Sequence, residues 1–144
     1  MNNLFVMPSK TLVRRVLGWS ALILLAAPVA LAGDRIIAGE YEVTSVRDGK
    51  TTNSTYCTTP EMAKGTNGSE AEDRAYVENA AKSCKIGTFK VSGDTIDYSM
   101  DCSGSNTTIH VVYHGDHFEG DVTSEHHGQK STAHTTAKRV GACK

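Results

Sequence analysis

Beyond residue 32 the chain has no leucine and no tryptophan, so its core must be built from smaller means. The large apolar residues left are mostly Val, Ile, Tyr and Phe, β-branched and aromatic types that favour pleated strands. No basic tract occurs anywhere, which argues against a nucleic-acid or anionic-membrane partner. No two cysteines lie closer than 18 residues, excluding a CxxC metal or redox motif. There is no Gly-x-Ser-x-Gly elbow, phosphate loop or His-Glu-x-x-His helix, so signals of catalysis are weak. Ser and Thr are abundant enough that a Ser/His/Asp trio can be picked almost anywhere, which makes any such trio uninformative. Internal repeats and low-complexity segments are also missing.

What is present begins with an export signal. Residues 1–32 carry Lys10, Arg14 and Arg15 and no acid, then an apolar run from Trp19 to Leu31 interrupted by Pro28. The segment closes on Ala30-Leu31-Ala32, a small-x-small cleavage site, and is expected to be removed after Ala32. Its uninterrupted apolar part is about half of the roughly 20 residues that span a bilayer, so no stable membrane span is expected after cleavage. Arg14-Arg15 leaves the choice between the general and the twin-arginine export routes open. Residues 33–144 then form one domain. All 16 acidic residues but only 12 of the 15 basic ones fall in it, for a formal charge of −4.

Four cysteines in a short exported chain read as two disulfides: Cys57, Cys84, Cys102 and Cys143. They allow three pairings. A Gly93-Asp94 turn places Val91 opposite Ile96, Phe89 opposite Tyr98 and Gly87 opposite Met100, which gathers the apolar side chains on one face. In that register Cys102 points inward and Cys84 outward. Cys57–Cys84 and Cys102–Cys143 are therefore the expected bridges.

The rest reads as an antiparallel meander. Residues 39–46 and 50–57 form a hairpin around Asp48-Gly49. Thr59-Pro60-Glu61 resembles a helix start. Ser69-x-x-Glu72 is a capping box opening a helix over 70–83, with Tyr76, Val77, Ala80 and Ala81 on its apolar stripe. Strands follow at 106–114 and 117–124, with Tyr113 paired to Phe118, and at 130–140. The expectation is a mainly β (α+β) domain, a curled antiparallel sheet or small barrel with one helix inserted after the first hairpin.

All six histidines fall between residues 110 and 134. The hairpin registers set Asp121 between His110 and His134, with Glu119 one step along the same face. Imidazoles and carboxylates at cross-strand distance can hold zinc, copper or nickel, so these four residues are a candidate divalent transition-metal site. The alternative is a polar, solvated sheet face. On the opposite face Tyr98, Met100, Tyr113 and Phe118, with Gly87 and Gly120 beside them, either line a ligand pocket or simply form core.

The order of features resembles the bacterial group of exported proteins catalogued as domain of unknown function 3617. The resemblance rests on the signal peptide, Gly39-Glu40-Tyr41-Glu42-Val43, Cys57-Thr58-Thr59-Pro60-Glu61, Cys84, and Cys102 with its polar strand. Tyr113-His114-Gly115-Asp116-His117-Phe118 and the closing Lys138-Arg139-Val140-Gly141-Ala142-Cys143 complete it. Tyr41 stands where the family usually has Trp, and the histidines are not a family feature. The resemblance implies a periplasmic, cysteine-stapled β domain and no established activity. The leading expectation is a non-enzymatic binding or interaction domain, monomeric, taking a small ligand, a metal or an envelope protein partner. A hydrolase on the polar face is the alternative.

Overall fold

The computed structural model describes residues 34–144; the export signal expected at residues 1–32 lies outside them. Seven strands form one antiparallel sheet: β1 Gly39–Arg47, β2 Lys50–Thr58, β3 Lys85–Ser92, β4 Thr95–Cys102, β5 Ser105–Tyr113, β6 His117–His126 and β7 Gln129–Gly141. The spatial order is β2-β1-β7-β6-β5-β4-β3. The sheet is open, with β2 and β3 as its edges, so the closed barrel is not realised.

Short turns set the registers. Asp48-Gly49, Ser103-Gly104 and His127-Gly128 each put two successive residues at positive φ, the geometry of the type I′ hairpin. Tyr113 pairs with Phe118, and Asp121 pairs with both His110 and His134, as the sequence indicates.

Two short helices follow the first hairpin, one more than expected. α1, Pro60–Thr66, is capped by the Thr59 hydroxyl, which accepts from the Met62 N–H at 3.3 Å. α2, Glu70–Ala80, opens on the Ser69/Glu72 capping box and ends three residues earlier than its sequence pattern extends. Tyr76 lies against Gly65, where an added Cβ would fall 2.5 Å from the ring.

The disulfides differ from the expected pairing: Cys57 bonds Cys143, and Cys84 bonds Cys102. The cause is a bulge in β3. Val91 faces Ile96 and Phe89 faces Tyr98, but Ile86, not Gly87, faces Met100. Gly87 and Thr88 together oppose Ser99, whose hydroxyl accepts the Thr88 N–H at 3.0 Å. One extra residue reverses the facing of everything before it. Cys84 is thereby brought level with Cys102, at a Cα separation of 4.3 Å. At the other end, Glu40 pairs with both Cys57 and Gly141, so the Cys57–Cys143 bridge spans β1 and ties the C-terminus to the β2 edge.

Ile36, Tyr41, Ala63 and Ala137 form the buried core cluster, with Val43, Tyr113 and Phe118 packed on it. The segment before β1 is held in place by polar contacts. Ile37 N–H donates to the Gly115 carbonyl, and the Asn67 amide exchanges two hydrogen bonds with the Ile36 backbone. Arg35 donates to the carbonyls of Thr66 and Gly68 and to Asp73 Oδ2, at 2.7, 2.6 and 2.6 Å.

Candidate functional site

The two faces of the sheet separate by chemistry. On the inner face, register aligns Val91, Ile96 and Val111 in one row and Phe89, Tyr98, Ile109, Val122 and Ala133 in the next. Ile86, Ile96, Ile109 and Ala133 are buried, whereas Phe89, Val91, Tyr98, Met100, Val111 and Tyr113 are half-buried. Phe89 and Tyr98 stack at 5.4 Å. Phe118 sits 5.6 Å from Tyr113 and 5.9 Å from Tyr41, within the core cluster. Of the four residues read as a pocket, Phe118 and the ring of Tyr113 therefore pack on the core. Tyr98 and Met100 lie side by side on β4, with Tyr113 on β5.

The tyrosines of this face are not equivalent. Tyr41 donates its hydroxyl to the carbonyls of Ile37, at 2.7 Å, and Gly115, at 3.2 Å. Tyr56 reaches Met62 Sδ. Tyr98 and Tyr113 have no hydrogen-bond partner for their hydroxyls among the described residues. Burial raises the pKa of Tyr98 above the usual phenol value, and that of Tyr113 much further. The charges of Asp73 and Arg35 and the Tyr98 phenol also act on Tyr113, after desolvation. A buried tyrosine hydroxyl ordinarily finds a protein or water partner. Both residues are only half-buried and neither hydroxyl is a buried unpartnered atom, so both stay open to solvent beside the half-covered apolar surface.

The outer face is polar. One register row crosses β3 to β7 as Lys90, Asp97, His110, Asp121 and His134. The rings pair with carboxylates individually. His110 Nδ1 meets Asp97 at 2.6 Å rather than Asp121, and Asp121 instead holds His134 Nδ1 at 2.9 Å. Glu119 lies one step along the face and lines a concavity with Glu42, His117 and Lys138. Register thus brings the four candidate ligands onto neighbouring strands. Among the described residues, however, no three His, Cys, Asp or Glu side chains converge as a metal ion requires. The remaining histidines stand in pairs at the strand ends, His114 stacked on His117 and His126 against His127. None of the hydrogen bonds of the histidine rings goes to a Ser or Thr hydroxyl among the described residues.

The buried Arg35–Asp73 pair has no signal in the sequence. Its partners lie 38 residues apart, and Asp73 reads locally as one more acid in the first turn of a capped helix.

These features define a small antiparallel β-sheet domain closed by two disulfides, with an apolar inner face and a polar outer one. Residues 36–143 match the family described as Protein of unknown function (DUF3617), and the chain belongs to that family. No curated protein and no solved structure matches the chain. Among the described residues, no helix is long and apolar enough to cross a membrane.

Proposed function

We propose that the protein is an exported, periplasmic, non-enzymatic binding domain that holds a small, mainly apolar ligand on the inner face of its sheet. The observation that carries this reading is the half-buried surface of Phe89, Tyr98 and Met100, which lies outside the core cluster and on which the Phe89 and Tyr98 rings stack at 5.4 Å. Tyr41, on the same face, spends its hydroxyl on two carbonyls and belongs to the core. Tyr98 and Tyr113 keep theirs for something else. The matching ligand is an uncharged apolar skeleton bearing oxygen acceptors, such as carbonyls or ethers, for these donors. Rings and thioether supply non-directional contact, and the hydroxyls fix orientation. The export reading rests on the basic, apolar and small-x-small pattern of residues 1–32 together with the two disulfides.

Native mass spectrometry of protein purified from periplasm tests this directly. The expected spectrum carries a non-covalent adduct that is lost or greatly reduced in a Tyr98→Phe/Tyr113→Phe double variant. Two hydrogen bonds of about 1 kcal/mol each correspond to a loss of roughly 10- to 30-fold in affinity. Adduct-free protein that also fails to bind Nile red, an uncharged apolar ring system with a carbonyl acceptor, refutes the reading.

A further inference from the structure

The two edges of the sheet are treated differently. Helix α2 shields β3: Glu70 accepts the outward N–H of Val91 at 2.9 Å, and Arg74 donates to the carbonyls of Gly87 and Ile86 at 3.3 and 3.4 Å. β2 has no such cover among the described residues. All its residues from Lys50 to Cys57 are exposed, its pairing with β1 runs without a bulge, and Lys50 is its only charged residue. Edge strands ordinarily carry prolines, bulges or inward charges because their free N–H and C=O groups are a template for another chain.

The geometry of the first hairpin says which groups are free. The tight turn at Asp48-Gly49 makes Arg47 and Lys50 a hydrogen-bonded pair. By alternation, the backbones of Lys50, Thr52, Ser54 and Tyr56 are spent on β1, and those of Thr51, Asn53 and Thr55 point away from the sheet.

We propose that β2 is the interface of a homodimer, in which two copies pair their β2 strands antiparallel about a two-fold axis at Asn53. This register uses all three outward residues. Thr51 meets the partner's Thr55, Asn53 meets the partner's Asn53, and Thr52 meets the partner's Ser54. Lys50 falls opposite the partner's Tyr56, a residue 44% exposed, which pairs an ammonium group with an aromatic ring. No like charges oppose each other, so the edge is self-complementary as a two-fold contact requires. Sliding the axis toward Thr55 drives the Pro60 start of α1 against the partner's Lys50 and the turn beyond it. The Asn53 axis keeps the paired segment clear of both. The result is one continuous sheet across two copies, independent of whether the inner faces carry a ligand.

Sedimentation velocity of the processed protein over a wide concentration range tests this. The expected result is a monomer–dimer equilibrium whose midpoint moves at least about tenfold to higher concentration in Asn53→Lys, which sets two ammonium groups against each other at the axis. Asn53→Thr keeps the dimer. Position 53 is exposed, so near-ultraviolet circular dichroism should be unchanged; if Asn53→Lys folds poorly, Thr51→Lys/Thr55→Lys places the same repulsion in the flanking pairs. A protein that stays monomeric at every concentration overturns the proposal, as does a dimer indifferent to both lysine variants.

Discussion

Replacing Asp73 with asparagine probes the buried ion pair that ties the segment before β1 to α2. Asp73 is only 2% exposed; its Oδ2 accepts from Arg35 at 2.6 Å, and its Oδ1 has no partner among the described residues. Burial pushes its pKa from 3.8 up to about 6, outweighing the downward pull of Arg35. A folded-state pKa above the unfolded one means that folding penalises the ionised carboxylate. The associated stability is fully present below about pH 4 and is lost as the pH rises through about 6. A rise of about two units corresponds to about 3 kcal/mol at most. Asparagine cannot ionise, yet it keeps a carbonyl toward Arg35, which still holds Thr66 and Gly68. The stability of Asp73→Asn relative to wild type should therefore climb by about 2 kcal/mol between about pH 4 and pH 7. Contributions common to both proteins cancel in the difference. Urea unfolding at half-unit pH steps reads it out. A difference that stays flat, or falls as pH rises, would show that Arg35 more than compensates burial and would refute the reasoning.

Gly120→Ala should destabilise the fold by about 1–3 kcal/mol, because the new Cβ would lie 2.5 Å from the His110 carbonyl oxygen and 2.9 Å from Val111 Cγ2. Wild-type stability in thermal melts would mean that β5 does not crowd β6 at that point. Non-reducing peptide mapping should recover Cys57 linked to Cys143 and Cys84 linked to Cys102; a Cys57–Cys84 peptide would instead restore the pairing expected from alternation alone. The bridges span 86 and 18 residues, so chain entropy assigns about 4.5 kcal/mol to the first and about 3 kcal/mol to the second. Double Cys→Ala variants should rank in that order by denaturant midpoint.

Strand pairing was legible in the sequence wherever a two-residue turn fixed it locally. Asp48-Gly49, Gly93-Asp94, Gly115-Asp116 and His127-Gly128 sufficed to set Phe89 against Tyr98, Tyr113 against Phe118 and Asp121 between His110 and His134. The disulfides failed on parity. Alternation counted outward from Gly93-Asp94 is right as far as Phe89, and one extra residue at Gly87-Thr88 then reverses the side on which Cys84 emerges. A glycine within a strand pattern is a recognised mark of a bulge, but the residue that confirms it, Ser99, lies on the partner strand. Side-chain choice within a row was equally out of reach. His110 has an aspartate on each side, Asp97 and Asp121, and register alone does not say which one it takes.

The half-burial of the inner face follows from the topology. β2 and β3 are consecutive along the chain yet stand at opposite edges of the sheet, so the segment joining them must cross a face. It crosses the inner one, where Ala63 of α1 packs with Tyr41 and Ala137 and Tyr56 reaches Met62. Six interstrand gaps of about 4.8 Å make the sheet about 29 Å wide. Helix α1 and residues 67–69 make the crossing, because Glu70, the first residue of α2, already bonds Val91 on β3 and α2 then runs along that edge to Arg74. A single helix covers a band about 10 Å wide, whereas a strand of eight or nine residues is nearly 30 Å long. The crossing can therefore seal one band of the apolar face and no more. It seals the end holding Tyr41, Ala137 and Phe118, and its last helix spends Glu70 and Arg74 on the β3 edge. Phe89, Tyr98 and Met100 lie outside the core cluster that this crossing closes, and they remain half-buried. The same short connection thus accounts for the shielded edge, the open edge and the partly uncovered aromatic surface.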